Sequence, residues 1–407
     1  MPLWKRNLYA CLFGSFTTAA GLSLVLPFLP LYIQELGVTD QASVVQWSGY
    51  AFGSTFLTAA FVSPLWGRLA DTYGRKPMLL RAGLGMAVIM SLMGLVRTPL
   101  ELVALRLVMG AVAGYVTAAI TLVATRTPRE HAGWALGTLY TGVVGGNLLG
   151  PLLGGWLAET IGLRHTFFVT GGLLFVTFLV TLLWIHEDFV RSEVKRISFG
   201  EVWHSIARPS AVVAMCVTAL MLYFANFSIE PIVTVYIAEL VGKSSHVALM
   251  SGIVVSASAI ATMLAATRVG RLADRVGPGR VLICCLAVTG LTLLPQAWVS
   301  SWIQLAGWRF LMGLALAGLS PVMALVIKRA VPDAVAGRVF GYIQSSQYIG
   351  EIAGPVIGGH MAAEFGLRAV FYVTASLMFV NALWTWLAGV NDSGKPKPAA
   401  RPATLSD

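Results

Sequence analysis

The sequence predicts an all-α membrane protein with 12 transmembrane helices, arranged as two six-helix bundles related by pseudo-twofold symmetry. The first observation is composition: 57% of the 407 residues are hydrophobic and 11% are charged, and the mean hydropathy is +0.77. A soluble chain of this composition would expose far more apolar surface than water tolerates. The second observation is that the second half of the chain repeats the first at an offset of 203 or 204 residues.

Three matched segments establish the repeat. Self-similarity at a fixed period is the mark of a duplicated structural unit. The chain is therefore predicted to contain two copies of one unit, both entering the bilayer from the same side. The matched segments are 27–36 with 231–240, 67–71 with 270–274, and 150–155 with 354–359.

Each unit contains six apolar stretches long enough to cross the hydrocarbon core as helices, which takes about 20 residues each. The expected domains are a first bundle at 1–185, a cytoplasmic linker at 186–209, a second bundle at 210–390 and a disordered cytoplasmic tail at 391–407. The expected spans are 8–34, 46–67, 78–97, 101–124, 134–158, 165–185, 210–238, 247–268, 280–299, 302–327, 338–362 and 368–390.

Basic residues concentrate on one side of these spans. Most of the 28 lysines and arginines fall on the side of the two termini, and the positive-inside rule therefore places the N and C termini in the cytoplasm. Nucleic-acid binding, the other common explanation of a net charge of +10, is not expected because the charges are spread over short loops around apolar helices. The opposite side has only Arg97, Arg164, Lys243 and Arg368.

The loop after the second span carries a distinctive motif. Residues 67–76 read Gly-Arg-Leu-Ala-Asp-Thr-Tyr-Gly-Arg-Lys, and a degenerate copy lies at 270–280. The motif resembles the loop signature of the major facilitator superfamily, and the resemblance covers roughly residues 4 to 390. It implies the major facilitator fold and transport by alternating access. The gating residues it implies are Gly67, Asp71, Gly74, Arg75, Lys76, Gly270, Asp274 and Arg275.

The same resemblance implies that this loop latches the cytoplasmic gate. Asp71 with Arg75 would hold the eleventh helix, and Asp274 would hold the fifth. An aspartate beside one helix end can accept hydrogen bonds from the free N-terminal amides of another helix and face its positive dipole end. The alternative is a solvated turn whose charges only set topology. The pair Thr72 and Tyr73 stands where a further basic residue is frequent in the family, which weakens the expected first latch.

The fifth span carries a glycine-rich motif, and the eleventh repeats it. The pattern resembles the motif of antiporters in the twelve-span drug:proton branch of the superfamily, which implies proton-coupled multidrug efflux. Glycines let helices approach closely, and a proline within a span bends it by removing one backbone hydrogen bond. The motif residues are Gly137, Gly146, Gly150, Pro151, Gly154, Gly350, Gly354, Pro355 and Gly358.

Four charged residues fall within the spans, namely Arg106, Glu230, Arg309 and Glu351. Charges in the hydrocarbon are costly and are therefore functional candidates, here for proton coupling. Arg106 begins a stretch that resembles a fourth-helix motif implicated in proton transfer, and Arg309 is its repeat copy. An intramembrane carboxyl can carry a proton, and a guanidinium can hold a nearby carboxylate ionised. The alternatives are charges near helix ends that reach water, and hydrogen-bonded packing residues.

By the same resemblance, helices one, four, seven and ten line a central substrate cavity. Aromatic and apolar side chains on these helices would give a surface that adapts to varied substrates. For each of them, core packing or lipid contact is the alternative. The candidates are Phe28, Tyr32, Tyr115, Tyr223, Asn226 and Phe227.

Other chemistries find little support in the sequence. No Gly-x-x-x-x-Gly-Lys-Ser/Thr segment is present, so ATP-driven transport by this chain is not expected. The six histidines lack metal-ligand spacing, and no Ser-His-Asp group or carboxylate pair predicts an enzyme. Neither a metal nor another cofactor is therefore expected.

The predicted function is export of drugs or other small amphiphilic molecules across the inner (plasma) membrane by proton antiport. The proton gradient supplies the energy, and we expect a monomer whose partners are the lipid bilayer, protons and small-molecule substrates, with no nucleic acid. One alternative is an exporter of a single solute such as a sugar, siderophore or metabolite. The other is a non-transporting membrane sensor.

Overall fold

The computed structural model describes residues 1–187, 203, 206, 209–242, 246–331 and 333–390. The expected tail at 391–407 and almost all of the expected linker at 186–209 lie outside these residues.

The described chain forms twelve helical spans, numbered α1 to α12, and contains no strand. Three spans are interrupted: α1 comprises Leu3–Leu24 and Leu29–Glu35 around a 3-10 turn at Leu26–Phe28, α4 comprises Pro99–Val112 and Tyr115–Arg126, and α10 comprises Trp302–Leu316 and Leu319–Ala330. The others are α2 (Gln41–Tyr73), α3 (Arg75–Met93), α5 (Ala132–Ile161), α6 (Leu163–Trp184), α7 (Pro209–Val241), α8 (Val247–Val276), α9 (Pro278–Leu293, continued by a 3-10 turn at Leu294–Trp298), α11 (Asp333–Phe365) and α12 (Leu367–Leu387).

Nine of these spans are long and apolar enough to cross a membrane by composition alone. The remaining three, α2, α5 and α11, have 33, 30 and 33 residues and so are long enough. They are rich in glycine and hydroxyl residues, which lower hydropathy but allow close helix packing. All three take part in the contacts between the two bundles.

Four glycines join consecutive spans at equivalent places in the two repeats. Gly74 and Gly277 have φ of 94° and 106°, and Gly162 and Gly366 have φ of 86° and 85°. This backbone region is open to glycine and strained for residues with a Cβ atom. The duplication seen in the sequence therefore extends to the backbone conformation of the joints.

The helices assemble as two six-helix bundles. In the first bundle α1 packs on α5 and α3 packs on α6, and in the second α7 packs on α11 and α9 packs on α12. The bundles meet along two repeat-related pairs, α2 with α11 and α5 with α8. The predicted arrangement of two six-helix bundles is confirmed.

The exterior and the interior differ in the way a bilayer requires. Phe61, Leu183 and Leu387 are 77%, 66% and 66% exposed, as expected for side chains that face lipid. Inside, the hydroxyl groups of Thr17 and Thr177 lie 2.5 Å apart and link α1 to α6. This pairing satisfies two buried hydroxyl groups inside the bundle, as a membrane interior requires.

Candidate functional site

A cavity of about 370 Å³ lies between the two bundles. Its walls come from α1, α5, α7, α8 and α10. Sequence analysis predicted α1, α7 and α10 in this place; α4, which it also predicted, contributes no lining residue, and α5 and α8 replace it. The polar side chains of the lining are Ser23, Asn147, Asn226, Glu230, Ser258, Thr262, Arg309 and Ser320.

An ion pair stands in the wall of this cavity. Glu230 Oε1 on α7 lies 3.8 Å from Arg309 Nη1 on α10, and the two side chains are 10% and 2% exposed. Glu230 Oε2 and Arg309 Nε and Nη2 are buried without a hydrogen-bond partner in the described part of the chain. Removing charges from water is costly, and a pair that leaves hydrogen-bonding capacity unused recovers the cost incompletely. The pair can therefore accept a proton, or a polar substrate group, at small structural cost.

A proline interrupts the backbone hydrogen bonding of α7 beside this pair. Pro231 lies inside the helix and has no N–H, so the carbonyl of Phe227 lacks its usual partner four residues on. Phe227 also lines the cavity. The cavity wall thus combines the ion pair with a stretch of α7 that lacks one backbone hydrogen-bond donor.

Arg106, the repeat copy of Arg309, has a different environment. It is 4% exposed, and its guanidinium lies 5.6 Å from the ring centre of Phe52. No carboxylate pairs with it among the described residues, and Leu26 occupies the repeat position of Glu230. Sequence analysis treated the two arginines as equivalents, but the structure gives an acid to one of them only.

Glu351 lies buried in α11, with 8% of its surface exposed. It is within electrostatic range of the phenol groups of Tyr223 and Tyr348. It is absent from the lining of the central cavity, whereas Tyr223 is part of that lining. Of the two carboxylates predicted to carry protons, Glu230 is thus the one in direct contact with the cavity.

The six predicted cavity residues divide into two groups. Tyr223, Asn226 and Phe227 line the cavity, and the rings of Tyr223 and Phe227 stack 6.3 Å apart. The other three are packing residues, with 0%, 0% and 1% of their surfaces exposed, so placing them in the cavity was wrong. Phe28 packs edge-on against Phe167, the Tyr32 hydroxyl donates to the Met93 carbonyl, and the Tyr115 hydroxyl bonds to Thr181.

The predicted gating loop lies at the end of the bundles that carries the termini. Arg75 pairs with Asp71 at 2.5 Å, and the Asp71 side chain is half exposed. The backbone amides of Arg75 and Lys76 donate to Glu187 Oε2 at 2.7 and 2.6 Å, which satisfies the start of α3. Asp274 and Arg275 are exposed. Neither aspartate bonds to the opposite bundle among the described residues, so the predicted latch contacts are not present in this conformation.

The bundles close on each other at the end away from the termini. Glycines let backbone meet backbone there: Gly49 contacts the carbonyl of Pro355, and Gly252 contacts the carbonyl of Pro151. At this end Glu159 also accepts a hydrogen bond of 2.9 Å from the Leu249 amide at the start of α8. Hydrogen bonds between the bundles lie at this end too, from Gln41 to Glu239 and between Tyr50 and His360. The cavity therefore opens toward the side of the termini.

The motif glycines of α5 and α11 pack within their own bundles. Gly146, Gly150 and Gly154 lie against the backbone of α1, and Gly350, Gly354 and Gly358 lie against α7. The adjacent motif prolines, Pro151 and Pro355, supply the carbonyls that touch the other bundle. Gly137 is exposed and touches no packed neighbour. Each of the helices α5 and α11 therefore packs within its own bundle through one face and contacts the opposing bundle through another.

Sequence analysis missed the glycines that close the far end. Gly49 and Gly252 occupy equivalent places in the repeat, each directly after a serine. Their shared offset of 203 was a usable signal, because a glycine retained in both copies of a helix indicates close packing. Glu159 was missed as well, and no pattern in its own span distinguishes it.

Comparison with known proteins gives the same fold and identifies relatives. The sequence pattern of the Major Facilitator Superfamily matches residues 11–251 and 215–406. The chain is 45% identical over 386 residues to the multidrug resistance protein MdtG of Dickeya zeae, covering 95% of each chain. It is 43% identical to the protein of the same name from Proteus mirabilis, covering 95% of this chain and 96% of that one.

Solved structures share the architecture at low sequence identity. A bacterial homolog of the human lysosomal transporter Spinster, in an inward-facing and unoccupied conformation, superposes with a TM-score of 0.79 at 15% identity, covering 98% of this chain and 100% of that chain. The nucleoside transporter NupG gives a TM-score of 0.77 at 15% identity, covering 96% and 99%. With the duplicated bundles and the sequence matches, these similarities show that the chain belongs to the major facilitator superfamily.

Proposed function

We propose that this protein exports small amphiphilic drugs from the cytoplasm in exchange for protons. The observation that carries the proposal is the buried pair of Glu230 and Arg309 in the wall of a cavity between the two bundles. Relatives named multidrug resistance protein support the substrate class. The proposed site is the inner membrane, with both termini in the cytoplasm, and the basic residues on that side support this orientation.

In this orientation the structure corresponds to the state that receives substrate from the cytoplasm. Glu230 is ionised and paired with Arg309, and a drug enters between Asn226, Phe227 and the polar residues of α8 and α10. After the bundles rock, the cavity faces the other side, where Glu230 takes up a proton and loses its attraction to Arg309. The drug then leaves, and return to the cytoplasmic side releases the proton. One exchange thus uses one carboxylate in alternating protonation states.

The contacts between bundles support rocking as the mechanism. The far end closes through glycine and proline backbone contacts, which can separate and re-form without breaking side-chain networks. At the cytoplasmic end, the start of α5 has no side-chain cap in this state. When that end closes, Asp274 reaches the free amides of α5, and Asp71 reaches α11. The latch alternates with the far-end contacts, so that the cavity opens to one side at a time.

The test is drug-triggered proton movement in inverted membrane vesicles with an imposed proton gradient. The wild type should release protons when a drug is added, and Glu230→Gln should abolish this release because a glutamine cannot exchange a proton. Glu351→Gln, tested alone and combined with it, measures the share of the second carboxyl. Glu101→Gln is the matched control, since Glu101 is an exposed acid in the first turn of α4.

Two results would contradict the proposal. Undiminished drug-coupled proton release in Glu230→Gln, alone or combined with Glu351→Gln, would remove Glu230 from the coupling step. No proton movement by the wild type with any member of a wide drug panel would favour export of a single solute.

A further inference from the structure

The start of α8, in the second bundle, is held by an acidic side chain of the first bundle. The amide of Leu249, the third residue of α8, donates a hydrogen bond of 2.9 Å to Glu159 Oε1 on α5. Glu159 Oε2 lies 2.9 Å from Nδ1 of His246, the residue directly before α8. An ionised carboxylate can only accept, so Nδ1 is the donor. Both oxygens of Glu159 are therefore engaged by the start of one helix.

This carboxylate supplies a cap that α8 does not provide for itself. The first amides of a helix have no partner within it, and the side chain of the N-cap residue normally accepts from the second or third of them. His246 holds the N-cap position of α8 and makes no such bond. A carboxylate at this place also faces the positive end of the helix dipole. Glu159 thus acts as the N-cap of α8 from the opposite bundle.

The repeat-related helix α2 is capped differently. Its third residue, Ser43, donates its amide hydrogen bond of 2.9 Å to Asp40, which is the N-cap residue of α2 itself. At an offset of 203, the residue that corresponds to Asp40 is Lys243, which has no carboxylate. At an offset of 204, the residue that corresponds to Glu159 is Ala363. Each repeat thus has one acid for this helix start, from the helix itself in α2 and from the opposite bundle in α8.

The cap of α8 lies on a contact that must separate when the far end opens. Gly155, one turn before Glu159, packs so closely on α8 that an added Cβ would lie 2.8 Å from the Cα atom of Leu249. Because Glu159 and Leu249 belong to different bundles, separation of α5 from α8 breaks their hydrogen bond. The start of α8 then loses its cap, whereas α2 keeps Asp40 in either state.

We propose that Glu159 is a far-end latch, which stabilises the state open toward the termini by capping α8 in that state only. A contact made in one of two states shifts the balance between them by its own free energy. Glu159 is a positioning residue, since it lies outside the lining of the central cavity. The latch rests on the alternating access of the proposed function, but not on proton transfer by Glu230.

The test measures how fast a buried cysteine at the far end reacts with a membrane-impermeant methanethiosulfonate. Thr234 of α7 is 1% exposed and donates a hydrogen bond of 2.8 Å to the Pro27 carbonyl of the opposite bundle. The parent is the full-length protein in nanodiscs with Thr234→Cys and its four free cysteines replaced. When opening is fast relative to the reaction, the rate is proportional to the open population, however small that population is.

Glu159→Ala should raise the reaction rate of this cysteine by about 2-fold to about 30-fold, the range that corresponds to loss of a helix cap. Glu159→Gln retains an acceptor without the charge and should give a smaller rise; it carries the test if the alanine variant does not fold. Glu35→Ala is the matched control, because it removes a far-end acid that pairs with Arg164 of its own bundle at 3.2 Å. The rate in this control should equal that of the parent.

Two further variants separate the latch from a purely structural cap. Asp40→Ala should lower the melting temperature without changing the rate, because the cap of α2 is present in both states. His246→Asp, added to Glu159→Ala, gives α8 a cap of its own in both states. It should restore the melting temperature while the rate stays raised.

An unchanged rate in Glu159→Ala, or an equal rise in Glu35→Ala, would overturn the proposal. The rates are measured without drug or proton gradient, and so they do not bear on drug-coupled proton release. The latch and the proposed function therefore fail separately.

Discussion

Adding a methyl group to the glycines that close the far end should shift the protein toward the outward-open state. An alanine Cβ at position 252 would overlap the carbonyl oxygen of Pro151 and lie 3.0 Å from its carbonyl carbon. A Cβ at Gly49 would overlap the carbonyl oxygen of Pro355 and lie 3.1 Å from its carbonyl carbon. These are backbone atoms that cannot rotate away, so α5 and α8, or α2 and α11, must move apart.

The size of the shift follows from the cost of overpacking. Inserting a methyl group into tightly packed structure costs about 1 to 3 kcal/mol. The state in which these helix ends separate does not incur that cost. Each substitution should therefore change the ratio of the two states by about 5-fold to about 150-fold in favour of the outward-open state. The double variant Gly49→Ala with Gly252→Ala should show nearly the product of the two effects, since the sites lie on different helix pairs.

Double electron–electron resonance between two spin labels measures the ratio of the two conformational states directly. Labels at Leu65 of α2 and Phe340 of α11, both exposed side chains at the open end, report the separation of the bundles there. The four free cysteines are first replaced so that only these sites are labelled. The double variant should shift the distribution to shorter distances.

Gly172→Ala is the matched control, since an added Cβ there meets no described atom within 4 Å. Its distance distribution should equal that of the parent. A double variant of Gly49 and Gly252 with an unchanged distribution would show that these contacts do not set the balance between states.

Three further predictions follow from local contacts. Gly154→Ala should lower the free energy of unfolding by about 1 to 3 kcal/mol, because the added Cβ would overlap the Leu24 carbonyl. This contact lies inside one bundle, so the substitution should not favour either conformational state. Thermal unfolding measures the first effect, and the same spin-label distances measure the second. Glu187→Ala should lower stability by about 0.5 to 2 kcal/mol through loss of the acceptor at the start of α3, with Glu187→Gln retaining part of it, measured as the melting temperature. Hydrogen bonds from Ser43 lower the pKa of Asp40 below its ordinary value. The ionised carboxylate therefore stabilises the fold fully at pH values above the ordinary pKa. This contribution disappears as the pH falls through the lowered pKa of the folded state. Asp40→Asn should therefore weaken the pH dependence of melting below about pH 4, and an unchanged pH profile would contradict that assignment.

The sequence predicted the fold because its evidence was global. The constant offset between repeats and the composition each involve hundreds of residues, so an error at single positions does not change the result. The joints are a good example, since Gly74 and Gly277 could be matched from the repeat before their backbone conformation was known. Boundaries were less certain, because α2 and α11 extend well beyond their apolar centres as charged and polar helix.

The site was harder to predict because it forms only where two distant segments meet. The position of Tyr115 on its helix predicts an inward-facing side chain, but not whether the inward neighbour is a cavity or Thr181. Arg106 and Arg309 look alike in sequence, and their difference depends on what α1 and α7 each place opposite them. The contacts of Gly49 and Gly252 at the far end could not be predicted for the same reason, since the sequence does not indicate which residue a glycine packs against.

The pairing of Arg309 with Glu230 in one half only has a consequence for how this duplicated protein can change. If proton coupling takes place only in the second bundle, the first bundle takes no part in it and forms only the opposing wall of the cavity. Substitutions in the first bundle would then alter which molecules fit the cavity, while proton exchange in the second bundle would be unchanged. An unequal division of labour between two copies of one unit would let substrate preference diversify without a new coupling mechanism each time.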